Sequence, residues 1–162
     1  MFRRPITHPD AVRLVEEVQG EYVHRYGGRD QDPMEPAYFQ PPSGTFLVGY
    51  LDDKPVACGA WRRRSDVWFA GTQTTAEIKR MYVAPAARGR GLARDMLVRL
   101  ERTARDAGAE AIVLETGLPQ PEAIGLYESS DYTPIPGFGF HRASPLTRCY
   151  GKSLADSPGL RG

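Results

Sequence analysis

The sequence predicts a single-domain α/β fold with a mixed, mostly antiparallel central sheet flanked by helices. Three observations carry that prediction. Short apolar runs of strand type alternate with helical patterns over residues 76–130. Two apolar runs upstream flank a polar turn at Asp52-Asp53-Lys54, as in an antiparallel hairpin. No internal repeat, low-complexity tract or linker divides the 162 residues. Alternation of this kind builds layers of helix and sheet around one core, and a chain of this length buries a sizeable core as one domain, assigned to residues 1–154.

Taken in order, Asp10 to Tyr26 carries Val12, Val15, Val18, Tyr22 and Tyr26 at helical spacing, entered through Pro9 and left at Gly27-Gly28. Residues 27–44, rich in Gly, Pro, Asp and Gln, are expected to form a loop over a substrate site. Thr45 to Leu51 and Pro55 to Trp61 are the hairpin strands, and Arg62 to Gly71 continues or closes it. Ala76 to Val83 is a third strand, ended by Ala84-Pro85 because proline lacks the ladder donor. From Gly91 to Ala107, Leu92, Ala93, Met96, Leu97, Leu100, Ala104 and Ala107 make one apolar helix face, with Gly108 as its stop. Ala111 to Leu114 reads as a central strand covered on both faces, and Pro121 to Ser130 as a helix begun by proline. Tyr132 to Ile135 and Thr147 to Leu154 are the closing strands, and residues 155–162 a disordered tail.

Composition excludes several classes. A net charge of +1 gives nucleic acid or an anionic membrane no long-range reason to bind. No run approaches the ~18 apolar residues of a membrane span, and the N-terminus lacks the apolar core of a signal peptide, so a soluble cytoplasmic protein is expected. Cys58 and Cys149 sit in apolar runs and read as buried free thiols. His8, His24 and His141 have no metal-like spacing, so no metal is expected, and no Gly-x-Ser-x-Gly elbow is present.

The chemistry concentrates after Val83. Arg88-Gly89-Arg90-Gly91-Leu92-Ala93 lies between a strand and a long helix, where main-chain N–H groups and the helix N-terminus converge on an anion. Gly89, Gly91 and Ala93 let a pyrophosphate approach the backbone. Arg94 occupies the position that a dinucleotide fingerprint gives to glycine or alanine. Gly151-Lys152-Ser153 ends like a P-loop, but Leu146 stands where its first glycine belongs.

Glu77-Ile-Lys-Arg-Met-Tyr-Val83, the Arg88-x-x-Gly91-x-Ala93 loop and Ala123-Ile-Gly-Leu-Tyr127 together resemble the GNAT N-acetyltransferase superfamily in type and order over residues 77–132. Arg88, Gly91 and Ala93 fill every fixed position of that family's acyl-CoA motif. The resemblance implies a sheet splayed at an acyl-CoA cleft, with acetyl-CoA as acyl donor. It also implies contacts from Met81, Tyr82, Val83, Arg88, Gly89, Arg90, Gly91, Leu92, Ala93 and Gln120. Glu77 matches the family position that removes the ammonium proton, directly or through water, and Tyr127 the tyrosine that protonates the departing thiolate. The Val83 N–H is expected to meet the thioester carbonyl, freed by a bulge or by divergence at Pro85. Gln120 and Asp131 depart from the family pattern, where asparagine and glycine are usual, and Asp131 is expected to close its helix in the left-handed conformation.

The expected reaction is acetyl transfer to a primary amine of a small-molecule or amino-acid-like acceptor in a ternary complex, and a homodimer is left open. Asp30, Asp32 and Glu35 are candidates for attracting a cationic amine. A non-catalytic acyl-CoA sensor of the same fold and a nucleotide-phosphate binder are the alternatives.

Overall fold

The computed structural model describes residues 1–154; the expected tail at 155–162 lies outside the described residues. The chain runs β1 (Phe2–Arg3), α1 (Pro9–Tyr26), a 3-10 turn (Pro36–Phe39), β2 (Gly44–Leu51), β3 (Lys54–Arg63), β4 (Thr75–Val83), a second 3-10 turn (Pro85–Ala87), α2 (Leu92–Asp106), β5 (Ala111–Gly117), α3 (Pro121–Ser129), β6 (Thr133–Ile135) and β7 (Thr147–Ser153). The strands form one sheet in the order β1-β2-β3-β4-β5-β7-β6. Every neighbouring pair is antiparallel except β4 and β5, which run parallel.

Helices cover both faces of the sheet. On one face α1 buries Ala11, Leu14 and Val18 against Phe46, Val48, Cys58 and Ala60. On the other, Met96, Leu97, Leu100 and Ala104 of α2 pack on Leu47, Trp61, Ala76 and Ile78. The period-2 alternation of strand side chains sends Phe46 and Val48 one way and Leu47 the other. The sequence misjudged the inner stripe of α1 by one position: Ala11 and Leu14 are buried, whereas Val12 points to solvent. Counting valines favoured the wrong edge of a stripe that alanine and leucine also define.

Local conformations follow the residue types. Asp52 and Asp53 both have positive φ, 50° and 64°, as a two-residue hairpin turn of this hand requires. Asp131 takes φ 71° after α3, and the Tyr132 N–H returns to the Tyr127 carbonyl at 3.1 Å, so aspartate does close the helix in the left-handed conformation.

The feature that matters most is where the sheet opens. Pairing between β4 and β5 runs from Thr75↔Ala111 to Ile78↔Leu114 and stops. β5 continues alongside β7 to Gly117, while β4 departs. On the other side of β4 the register jumps from Cys58↔Tyr82 to Ala60↔Lys79, so Arg80 and Met81 together face Gly59. This is a β-bulge, with Arg80 at φ 57°, and a bulge bends the strand that carries it. Among the described residues no helix is long and apolar enough to cross a membrane, and no group of three or more His, Cys, Asp or Glu could hold a metal ion.

Candidate active site

Where β4 and β5 part, a cleft of about 450 Å3 opens. Its lining includes Glu77, Met81, Tyr82, Val83, Arg88, Gly89, Gly91, Leu92, Ala93, Gln120 and Tyr127. Arg90 is the one predicted contact that lies outside the lining, exposed on the loop.

The loop that enters α2 is shaped for a ligand that approaches its backbone. Gly89 and Gly91 have φ 81° and 76°, a region other residues enter at a cost, and no atom lies within 4 Å of where a Cβ on either would sit. Gly91 caps α2 without any side-chain bond, leaving first-turn N–H groups open to an anion. Upstream, the Ala84 N–H bonds the Val56 carbonyl at 2.7 Å. Because successive donors alternate, the Val83 N–H faces away from β3 and into the gap. Arg88 folds back: Nε donates to the Val83 carbonyl at 2.9 Å and Nη2 to Glu21 of α1 at 2.5 Å. That bond, with the Arg25 pair beside it, holds the Glu21 carboxyl below its ordinary range despite partial burial.

Tyr127, on α3, reaches the gap from the α2 side. It is buried, its ring edge-on to Tyr132 at 5.7 Å, and its hydroxyl lies 3.8 Å from the Met81 sulfur. Burial pushes its pKa well above the ordinary tyrosine value, so the hydroxyl keeps its proton. Gln120 precedes α3 and donates through Nε2 to the Tyr26 hydroxyl at 2.8 Å.

The carboxylates lie on the opposite face. Glu77 pairs in register with Val113, so Glu77 and Glu115 share the α1 side of adjacent strands. Glu77 is 2% exposed and is bound by Arg64 at 2.8 Å, with Lys79 at 3.9 Å. Glu115 differs: its Oε2 is buried without a hydrogen-bond partner. Burial raises the Glu115 pKa, and the charge of Glu77 raises it further, against weaker opposing effects from His141 and Lys79. The backbone of the 136–146 loop lies directly on this carboxylate, since a Cβ at Gly139 would sit 2.2 Å from the Glu115 carboxyl carbon.

Sequence reasoning missed Glu115 because the strand was expected to end at Leu114. The available signal was a carboxylate at the carboxyl end of a central strand, the end at which open α/β sheets bind ligands. Asp30 and Asp32, considered as attractors of an amine, are instead pinned to the sheet. Asp30 binds Arg80 at 2.5 Å and His141 at 2.8 Å, and Asp32 binds Lys79. Glu35 is exposed at the start of the 3-10 turn.

Known proteins share this architecture. The family model described as Acetyltransferase (GNAT) family matches residues 12–132. An IAA acetyltransferase of Azospirillum brasilense is 32% identical over 143 residues, covering 88% of this chain and 90% of that protein. An acetyltransferase of the GNAT family from Staphylococcus aureus Mu50 superposes with a TM-score of 0.76 at 14% identity, over 95% of this chain and 99% of that one. The yncA structure from Salmonella typhimurium, solved with its cofactor acetyl-CoA, superposes with a TM-score of 0.70 at 20% identity, over 97% and 95%. The two structures share the fold, and the family match covers the cleft from Glu77 to Tyr127: the chain belongs to the acetyltransferase (GNAT) family and is an N-acetyltransferase.

Proposed function

We propose that the chain moves an acetyl group from acetyl-CoA to the primary amine of a small-molecule acceptor, directly, with both substrates bound at once. The observation that carries this reading is the Tyr127 hydroxyl. It is buried in the gap between β4 and β5, and among the described residues it is bonded to nothing stronger than the Met81 thioether. A donor so placed is free for a sulfur leaving group.

Acetyl-CoA supplies the activated carbonyl, and Gly89, Gly91 and the N-terminus of α2 would hold its diphosphate. The Val83 N–H faces the gap and would donate to the thioester oxygen. On the α1 side Glu115 takes a proton from the acceptor ammonium, and the freed nitrogen bonds to the carbonyl carbon. The carbon–sulfur bond breaks and Tyr127 donates its proton to the sulfur. As the amide forms, the nitrogen gives up its second proton to water and Tyr127 takes one back from water, so the sum is an amide, free CoA and the one proton released from Glu115. Proton acceptor and donor thus work from opposite faces of the opened sheet, which suits transfer between two substrates meeting in the gap.

Glu115 is favoured as proton acceptor because its Oε2 has no partner, whereas an oxygen of Glu77 is occupied by Arg64. In this reading Glu77 is the fixed charge that makes Glu115 more basic. A second reading, in which Glu77 takes the proton directly or through water, has support from its place in the cleft wall.

The test is release of free CoA from acetyl-CoA by the purified chain across a panel of primary amines. Release above the hydrolysis blank that is lost in Tyr127→Phe is expected. Tight acetyl-CoA binding with no release for any amine would replace this reading with that of an acyl-CoA sensor.

A further inference from the structure

Beyond Glu115 a second cavity of about 280 Å3 opens between the end of α1 and the 136–146 loop, walled by Tyr22, Tyr26, Asp30, His141 and Leu146. Glu115, Thr116 and Gln120 line both cavities, so the two adjoin, and in the acetyl-transfer reading this is the compartment from which an acceptor reaches the gap.

Its charges are already matched, with one exception. Arg29 is held by both oxygens of Glu16, at 3.1 and 2.9 Å. His141 is held by Asp30 at 2.8 Å. Asp30 is itself fully engaged, by Arg80, by His141 and by the Asp32 N–H at 2.9 Å. Arg80 lines the neighbouring cleft with its Nε unpartnered, but Asp30 meets its charge at 2.5 Å. The exception is Glu115, whose Oε2 is buried with no donor. Among the described residues, the chamber therefore offers one carboxylate in want of a cation and no cation in want of a carboxylate.

A buried carboxylate oxygen without a donor is costly even where the group takes a hydrogen bond from the His141 backbone, and an ammonium beside it removes that cost. A ligand carboxylate in the same chamber would lose its hydration, find no counter-charge, and stand close to the charge on Glu115. The aromatic walls Tyr22 and Tyr26, edge-on at 6.1 Å, suit the apolar body of an amine or the face of its ammonium. We infer, building on the acetyl-transfer reading above, that the acceptor is a small primary amine without a carboxylate, of the alkylamine, arylalkylamine or diamine kind, and that free α-amino acids are rejected.

The full chain, saturated with CoA, is titrated calorimetrically at neutral pH with three pairs that differ by one carboxylate: tyramine and tyrosine, phenethylamine and phenylalanine, putrescine and ornithine. The amine of each pair is expected to bind at least about tenfold more tightly, and Glu115→Gln is expected to cut that preference to within about threefold. CoA release with the same pairs is read separately. Binding that favours the amines without turnover would uphold the chamber's selection of amines over amino acids and remove the acetyl-transfer reading on which their role as acceptor rests. Turnover of the amino acids at equal or higher kcat/KM would uphold transfer and overturn the inference. Equal binding within each pair, or no binding of any of the three amines, overturns it as well.

Discussion

The Tyr127 hydroxyl stands 3.8 Å from the Met81 sulfur, across the gap where β4 leaves β5. Met81 is there because the bulge at Arg80 turns the end of β4, and Tyr127 because Pro121 and Gln120 start α3 beside that gap. A thioether is a weak acceptor, so in the proposed transfer the hydroxyl would give up little on turning to a thiolate.

Tyr127→Phe should therefore lower kcat about a hundredfold, the usual scale for losing a general acid, while CoA affinity stays within about twofold because no phosphate contact is lost. Thiol-reactive dye measures the first and calorimetry the second. Loss of CoA binding in parallel with activity would instead mark Tyr127 as a packing residue.

The two glutamates predict a pH signature. If Glu115 must be ionised to accept the proton, kcat/KM falls as pH drops through its pKa. Burial and Glu77 place that limb above the ordinary glutamate value of about 4.3. Glu77→Gln removes a neighbouring negative charge, so the limb should move to lower pH with activity retained; Arg64 keeps Asp66 as a partner at 2.8 Å. Glu115→Gln should lower activity about a hundredfold. If Glu77→Gln abolishes activity at every pH while Glu115→Gln does not, Glu77 is the proton acceptor.

Arg88 reaches Glu21 at 2.5 Å, on the same loop that would meet a diphosphate. The two anions compete for one guanidinium, so Glu21→Gln should strengthen CoA binding by about threefold or more and leave pantetheine, which carries no phosphate, unaffected. An equal change for both ligands would locate the effect in α1 packing rather than in Arg88.

Much of the fold could be read from the chain because local signals agreed with one another. Proline at the first position of α1 and α3, the aspartate pair in the hairpin and the stripe from Met96 to Ala104 each name an element on their own. The Arg88 to Ala93 loop was legible for the same reason, since its glycines and the helix that follows are neighbours in sequence. What stayed hidden depends on distant contacts. Nothing local marks Arg80 as the bulged residue, because the strain is set by the register of β3 against β4. The pinning of Asp30 and Asp32 by Arg80 and Lys79 joins residues some fifty positions apart. Glu115 acquires its meaning only when the 136–146 loop folds onto it.

The most direct test is calorimetric titration of CoA into the wild-type chain and into Gly91→Asp. Gly91 sits at φ 76° with open space before it, so aspartate there strains the cap and puts a negative charge where phosphate would rest. Saturable binding by the wild type and an affinity at least about tenfold weaker in the variant are expected. No heat of binding from the wild type, or equal affinity in the two proteins, would contradict the assignment of this loop as the diphosphate grip.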